Sequence, residues 1–209
     1  MRTLHRGAVV GLCAVLALLA GAAGAWAQDA EEERRRKADT VTVAAWGGWL
    51  SAEGFREWFI PPIEMEDHYL AGLSLARELA LLGDFTLEAE LFGAHHWGPF
   101  RGDAQEYQEL AGLGLLRWRN LPWDETVDAS IAFGLGVSAV SEEPEHERRI
   151  NGATDQALCA MVLEFTAALP GRPDWELAFR VHHRSGVWGL VNDVKGGSNY
   201  LLLGLKHRF

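Results

Sequence analysis

Val127-Asp128-Ala129-Ser130-Ile131-Ala132-Phe133-Gly134-Leu135-Gly136-Val137-Ser138 alternates without a break. Val127, Ala129, Ile131, Phe133, Leu135 and Val137 share one face. Asp128, Ser130, Ala132, Gly134, Gly136 and Ser138 share the other. A period of two is a β-strand, and the fold turns on which face is wet. A soluble sandwich or lipocalin-like barrel buries the apolar row. A membrane barrel turns that row to lipid and fills its lumen with small or polar side chains. The second row here is mostly Gly, Ala and Ser, which suits a narrow lumen.

Working outward, similar strips occupy 41–50, 67–78, 84–96, 106–118, 125–138, 156–168, 174–185 and 198–209, with glycine, proline and charge clusters between them. In the third, Phe85, Leu87, Ala89 and Leu91 oppose Thr86, Glu88 and Glu90. In the seventh, Trp175, Leu177, Phe179 and Val181 oppose Asp174, Glu176, Ala178 and Arg180. The connections 79–83, 119–124 and 169–173 are short, whereas 51–66, 97–105, 139–155 and 186–197 are long. Short periplasmic turns and long external loops are the asymmetry of outer-membrane barrels. The last strip ends in Leu201, Leu203, Leu205, His207 and Phe209, and its terminal aromatic resembles the assembly signal of such proteins. The expected fold is therefore an all-β, eight-stranded antiparallel transmembrane β-barrel over 41–209. Closure is required because lipid cannot satisfy free backbone N–H and C=O groups.

The 209 residues include 19 Lys+Arg, 29 Asp+Glu and 23 Gly, with 48% hydrophobic residues and a net charge of −10. That is too apolar for a disordered chain and too acidic to favour a nucleic-acid partner. Residues 1–27 begin with Arg2 and Arg6, run uncharged from Gly7 and end in Ala25-Trp26-Ala27. They read as a cleaved signal peptide, with a retained membrane helix as the alternative. Residues 28–40 form a charged periplasmic leader. Removing the signal also removes Cys13, so Cys159 is left without an intramolecular disulfide partner.

Interior glutamates such as Glu88, Glu90 and Glu164, with Arg180, read as a buried polar network rather than a conduction path. The sequence holds no Gly-x-Ser-x-Gly elbow, His-Glu-x-x-His helix or phosphate loop. His95-His96 and His182-His183 each split across two faces of a strand, so neither pair points to a metal. The outer end of the seventh strip is different. Its apolar row continues into His183 and Ser185, whose positions lie about 7 Å apart along a strand. Rotamer choice can bring the imidazole to the hydroxyl, as base activation of a serine requires. A polar fringe at the membrane interface is the alternative reading of the same two residues.

An eight-stranded outer-membrane barrel with His183-Arg184-Ser185 near the outer end of its penultimate strand resembles the lipid A 3-O-deacylase family. The resemblance implies an outer-membrane serine esterase acting on the 3-position acyl chain of lipid A, with Ser185 as nucleophile and His183 as base. The family's acidic residue lies near the start of the last strand, where this sequence has Asn199. Asn199 shares its face with Leu201, Leu203 and Phe209, so it can orient the histidine without supplying charge. Asp193 in the preceding loop is the alternative orienting residue. The family's asparagine after the serine is replaced by Gly186, whose backbone N–H, like those of Ser185 and the following turn, is a candidate oxyanion donor. Trp175, Leu177, Phe179 and Val181 would carry acyl chains, and Arg184, Lys195 and Arg101 could meet phosphates. The scheme needs no metal or cofactor. Its partners are lipopolysaccharide and outer-membrane lipids, and a homodimer is compatible with it. The alternative function is a non-catalytic structural or lipopolysaccharide-binding barrel. A soluble exported barrel with an apolar ligand inside is a third reading.

Overall fold

The computed structural model describes residues 40–51, 64–100, 103–119, 121–123 and 127–209. The signal peptide and nearly all of the charged leader lie outside the described residues, as does Arg101. Eight antiparallel strands form a closed barrel in sequence order. They are β1 (Val41–Ser51), β2 (Met65–Leu82), β3 (Phe85–Phe100), β4 (Asp103–Trp118), β5 (Ala129–Val140), β6 (Ala157–Leu169), β7 (Arg172–Ser185) and β8 (Gly197–Arg208). The seam pairs β1 with β8 from Thr42↔Arg208 to Ser51↔Asn199, so no strand edge stays open.

The faces fall as a membrane barrel requires. On β5, Phe133 and Val137 are exposed while Ser130, Ala132 and Ser138 are buried. Leu73, Leu75, Leu91, Leu110, Leu177, Phe179, Leu203 and Leu205 continue the exposed apolar belt around the wall. The greasy row faces out, which excludes the soluble sandwich, where it would be packed inside.

The lumen is packed in layers. Toward the end where the chain closes, Arg117 donates to Glu88 at 2.6 Å and to Glu164 at 2.7 Å. Arg180 donates to Glu90 at 2.6 Å and also to Glu164, which in turn accepts from Lys206 at 2.5 Å. Ser130 and Thr166 complete this layer. Above it, Trp46, Phe92, Leu113, Val162 and Leu202 belong to the apolar core, and the Arg180 guanidinium lies 4.2 Å from the Trp46 ring centre. Gly204 pairs with Trp46 across the seam, and a Cβ there would overlap the indole. Nearer the outer end, Glu109 accepts from Ser138 at 2.6 Å and bonds His96 and His182, each at 2.9 Å. Filled in this way, the lumen is a polar-and-apolar plug rather than a channel.

Two connections differ from the sequence reading. The segment 97–105 is not a long loop: β3 runs to Phe100 and β4 starts at Asp103, with rungs from Trp97↔Glu106 to Phe100↔Asp103. Gly98-Pro99 looks like loop punctuation, yet Gly98 takes φ 133° where the Asp67 backbone crowds it, so the strand bends and continues. The β4–β5 connection is longer than expected, because β5 starts only at Ala129. The 139–155 segment is not a bare loop either. It carries a helix, α1 (Glu145–Asn151), which ends at Gly152 in the left-handed conformation.

Candidate functional site

The outer end of β7 is held between β6 and β8. Its last rungs are His183↔Asn199, Arg184↔Ser198 and Ser185↔Gly197 toward β8, and Met161↔His183 and Cys159↔Ser185 toward β6. Alternation splits the segment. His182 and Arg184 are buried inward, while His183 and Ser185 are half-buried on the wall's outer side. The imidazole and hydroxyl therefore sit above the Trp175, Leu177 and Phe179 row.

Asn199 lies directly opposite His183, and its Oδ1 is 2.7 Å from His183 Nδ1. An amide oxygen only accepts, so Nδ1 carries the proton and donates it to that bond, which makes Nε2 the basic nitrogen. Asn199 itself is buried between His183 and Ser51 of β1, which fixes the ring's partner on a rigid strand. Asp193, the alternative partner, is in the β7–β8 loop with φ 58°.

Two glycines shape the serine's surroundings. Gly197 stands opposite Ser185, and a Cβ there would press on the serine Cβ at 2.7 Å. Gly186 is hemmed in by Val194, whose Cβ would lie 2.6 Å from an added Cβ. The Gly186 N–H is committed: it donates to the Gly196 carbonyl at 3.1 Å, because the ladder continues one rung past the serine. The Val187 N–H instead reaches Ser185 Oγ at 3.5 Å. Val187 and Trp188 hold φ values of 50° and 55°, which turn the chain sharply just beyond the serine.

The other expected contacts divide. Leu177 is 56% exposed and Phe179 39%, so both present apolar surface to lipid. Val181 is only 6% exposed between Leu163 and Leu201, so it forms part of the wall and cannot be a rail for a chain. Arg184 does not face the lipid headgroups, because strand alternation turns it inward, where Glu147 of α1 accepts from it at 2.5 Å. Lys195 is exposed. Among the described residues, no group of three or more His, Cys, Asp or Glu is placed to hold a metal ion.

The sequence reading missed Glu147, which is fully buried and also accepts from Ser198 at 2.7 Å and Thr154 at 2.5 Å. Its neighbour His146 is buried against the rings of Tyr107, Tyr200 and His68. Burial, reinforced by His68 and His96 nearby, holds the His146 imidazole well below its ordinary pKa.

Comparison with solved structures shows the same architecture. Neisserial surface protein A has 12% identity and a TM-score of 0.50, covering 81% of this chain and 97% of that one. The N-terminal β-barrel domain of Pseudomonas aeruginosa OprF, at 12% identity and TM-score 0.47, covers 82% and 98%. Ail of Yersinia pestis, at 11% identity and TM-score 0.43, covers 82% and 99%. No family model matches the sequence, and no curated protein matches it. The likeness is to small outer-membrane barrels as a fold and does not single out the lipid A 3-O-deacylases.

Proposed function

We propose that this protein is a serine esterase of the bacterial outer membrane that removes an ester-linked acyl chain, at the 3-position, from lipid A. The observation that carries the reading is the His183 Nδ1–Asn199 Oδ1 bond. It fixes the imidazole in the tautomer of a base, on the lipid side of the wall, two residues from a serine.

In this scheme, acyl chains lie against Leu177 and Phe179 while the sugar stays at headgroup level. Ser185 Oγ attacks the ester carbonyl and its proton passes to His183 Nε2. The tetrahedral intermediate expels the sugar oxygen, which takes that proton back from the imidazolium. Water, deprotonated by the same nitrogen, then attacks the acyl carbonyl; the bond to Ser185 Oγ breaks, Oγ takes that proton back and the fatty acid leaves. With the Gly186 N–H already bonded to the Gly196 carbonyl, the oxyanion donor of this scheme is a backbone N–H of Ser185 or of the turn that follows it. The test is mass spectrometry of lipid A from cells expressing the native chain or Ser185→Ala. Loss of one hydroxyacyl chain in the native cells alone supports the esterase. Identical lipid A in both points to the structural or lipopolysaccharide-binding barrel.

Asn199 orients the base but offers no charge to the imidazolium that forms during attack. Asn199→Asp should therefore raise kcat by about tenfold, since a charge-assisted bond strengthens as the ring becomes cationic. Steady-state hydrolysis of micellar lipid A reads this directly. A kcat at or below that of the native protein would show that the amide is not the limiting feature.

A further inference from the structure

The outer rungs of the β7–β8 ladder are the last before both strands leave the wall, and strand ends open first. Behind them, on the luminal side, stands α1. Glu147 accepts from Arg184 through Oε2 and from Ser198 through Oε1. Arg184 and Ser198 are opposite each other across the two strands. They are also the sequence neighbours of the outward-facing groups, Arg184 lying between His183 and Ser185, and Ser198 preceding Asn199. One buried carboxylate thus ties together the inner faces of the two strands whose outer faces carry the proposed site. The same segment adds two more ties. Asn151 Nδ2 donates to the Gly197 carbonyl at 3.0 Å, and Arg184 Nη2 donates to the Asp155 carbonyl.

We infer that the 141–156 segment is a clamp on the site and that Glu147 is its positioning residue, setting the His183–Asn199–Ser185 geometry from inside the barrel. This rests on the esterase reading for its catalytic consequence, although the geometric effect is independent of it. A carboxylate that merely stabilised the plug would lower the unfolding midpoint and leave the site unchanged below it. A positioning carboxylate changes the reactivity of a fully folded barrel.

The experiment uses the full-length chain refolded in detergent, with Glu147→Ala, Glu147→Gln and the milder Ser198→Ala, which removes only the β8 arm. Folding is verified by heat-modifiable gel mobility. Two readouts follow: the rate of Ser185 modification by a fluorophosphonate, separated into its maximal rate and its half-saturation concentration, and the imidazole nitrogen resonances of His183. For Glu147→Ala the maximal labelling rate should fall by about tenfold to a hundredfold with half-saturation unchanged, as misplacement of reacting groups demands. Glu147→Gln should recover part of the loss, because its oxygen can still accept one arm. The His183 resonances should shift in Glu147→Ala and Ser198→Ala. Native labelling rates and unshifted His183 resonances in the folded variants would overturn the clamp. A native protein that is not labelled at Ser185 would overturn the esterase reading instead, and the His183 resonances would still decide the clamp.

Discussion

Ser185→Ala should reduce single-turnover hydrolysis of lipid A by about three orders of magnitude or more, and His183→Ala should cost nearly as much. The double variant should be scarcely worse than either single one. In the proposed esterase, serine and histidine act as one unit: a hydroxyl without a base is a weak nucleophile, and a base without its hydroxyl has nothing to deprotonate. Any residual rate would come from the backbone donor and from substrate held against the wall. Losses that multiply in the double variant would mean that the two side chains act separately, as two fringe residues contacting substrate would. The comparison is informative because neither side chain belongs to the ion-pair layers that fill the lumen. Both are half-buried on the outer face, away from the luminal ion pairs, so the variants should keep native heat-modifiable mobility.

Parity carried most of what the sequence revealed. Alternation on β5 and β7 placed the greasy row outward, and the same counting put His183, Ser185 and Asn199 on one side of the wall, where His183 and Asn199 meet. It also separated His95 from His96 and His182 from His183, since adjacent strand residues must face opposite ways. Parity says nothing about what a neighbouring strand covers, so it puts Val181 on the outer row although Leu163 and Leu201 enclose it. Nor does it report backbone partners, and the Gly186 N–H that it leaves open donates to the Gly196 carbonyl. The largest omission was α1. Its signals were present in Pro144-Glu145-His146-Glu147-Arg148-Arg149-Ile150-Asn151-Gly152, with acids in the first turn, arginines in the last and glycine past the end. Glu145 also pairs with Arg148 at 3.1 Å and with Arg149 at 2.9 Å, the spacing of helix neighbours. A seven-residue helix has too short a period to stand out from a charged loop. That its third residue would enter the barrel mouth depends on the lumen above Glu109, which no local pattern describes.

Glu164→Gln should destabilise the barrel by about 3 kcal/mol or more, the cost of leaving one buried positive charge uncompensated. Glu164 is completely buried and faces three cations, Arg117, Arg180 and Lys206, each of them also buried. Glutamine has nearly the same shape, so packing is retained and the loss isolates the charge. Its amide can still accept with one oxygen, but its nitrogen must point donors at groups that are themselves only donors. Glu90→Gln should cost less, because Arg180 would keep Glu164 as its partner. Glu78→Gln, at the rim against the partly exposed Arg119, should cost under about 1 kcal/mol. Urea unfolding of the refolded barrel in detergent, followed by tryptophan fluorescence, would rank the three. The order Glu164, Glu90, Glu78 follows from how many buried cations each carboxylate contacts. If Glu164→Gln unfolded at the native midpoint, water would have to reach the lumen and solvate those cations, and a sealed polar plug would be the wrong description of this barrel.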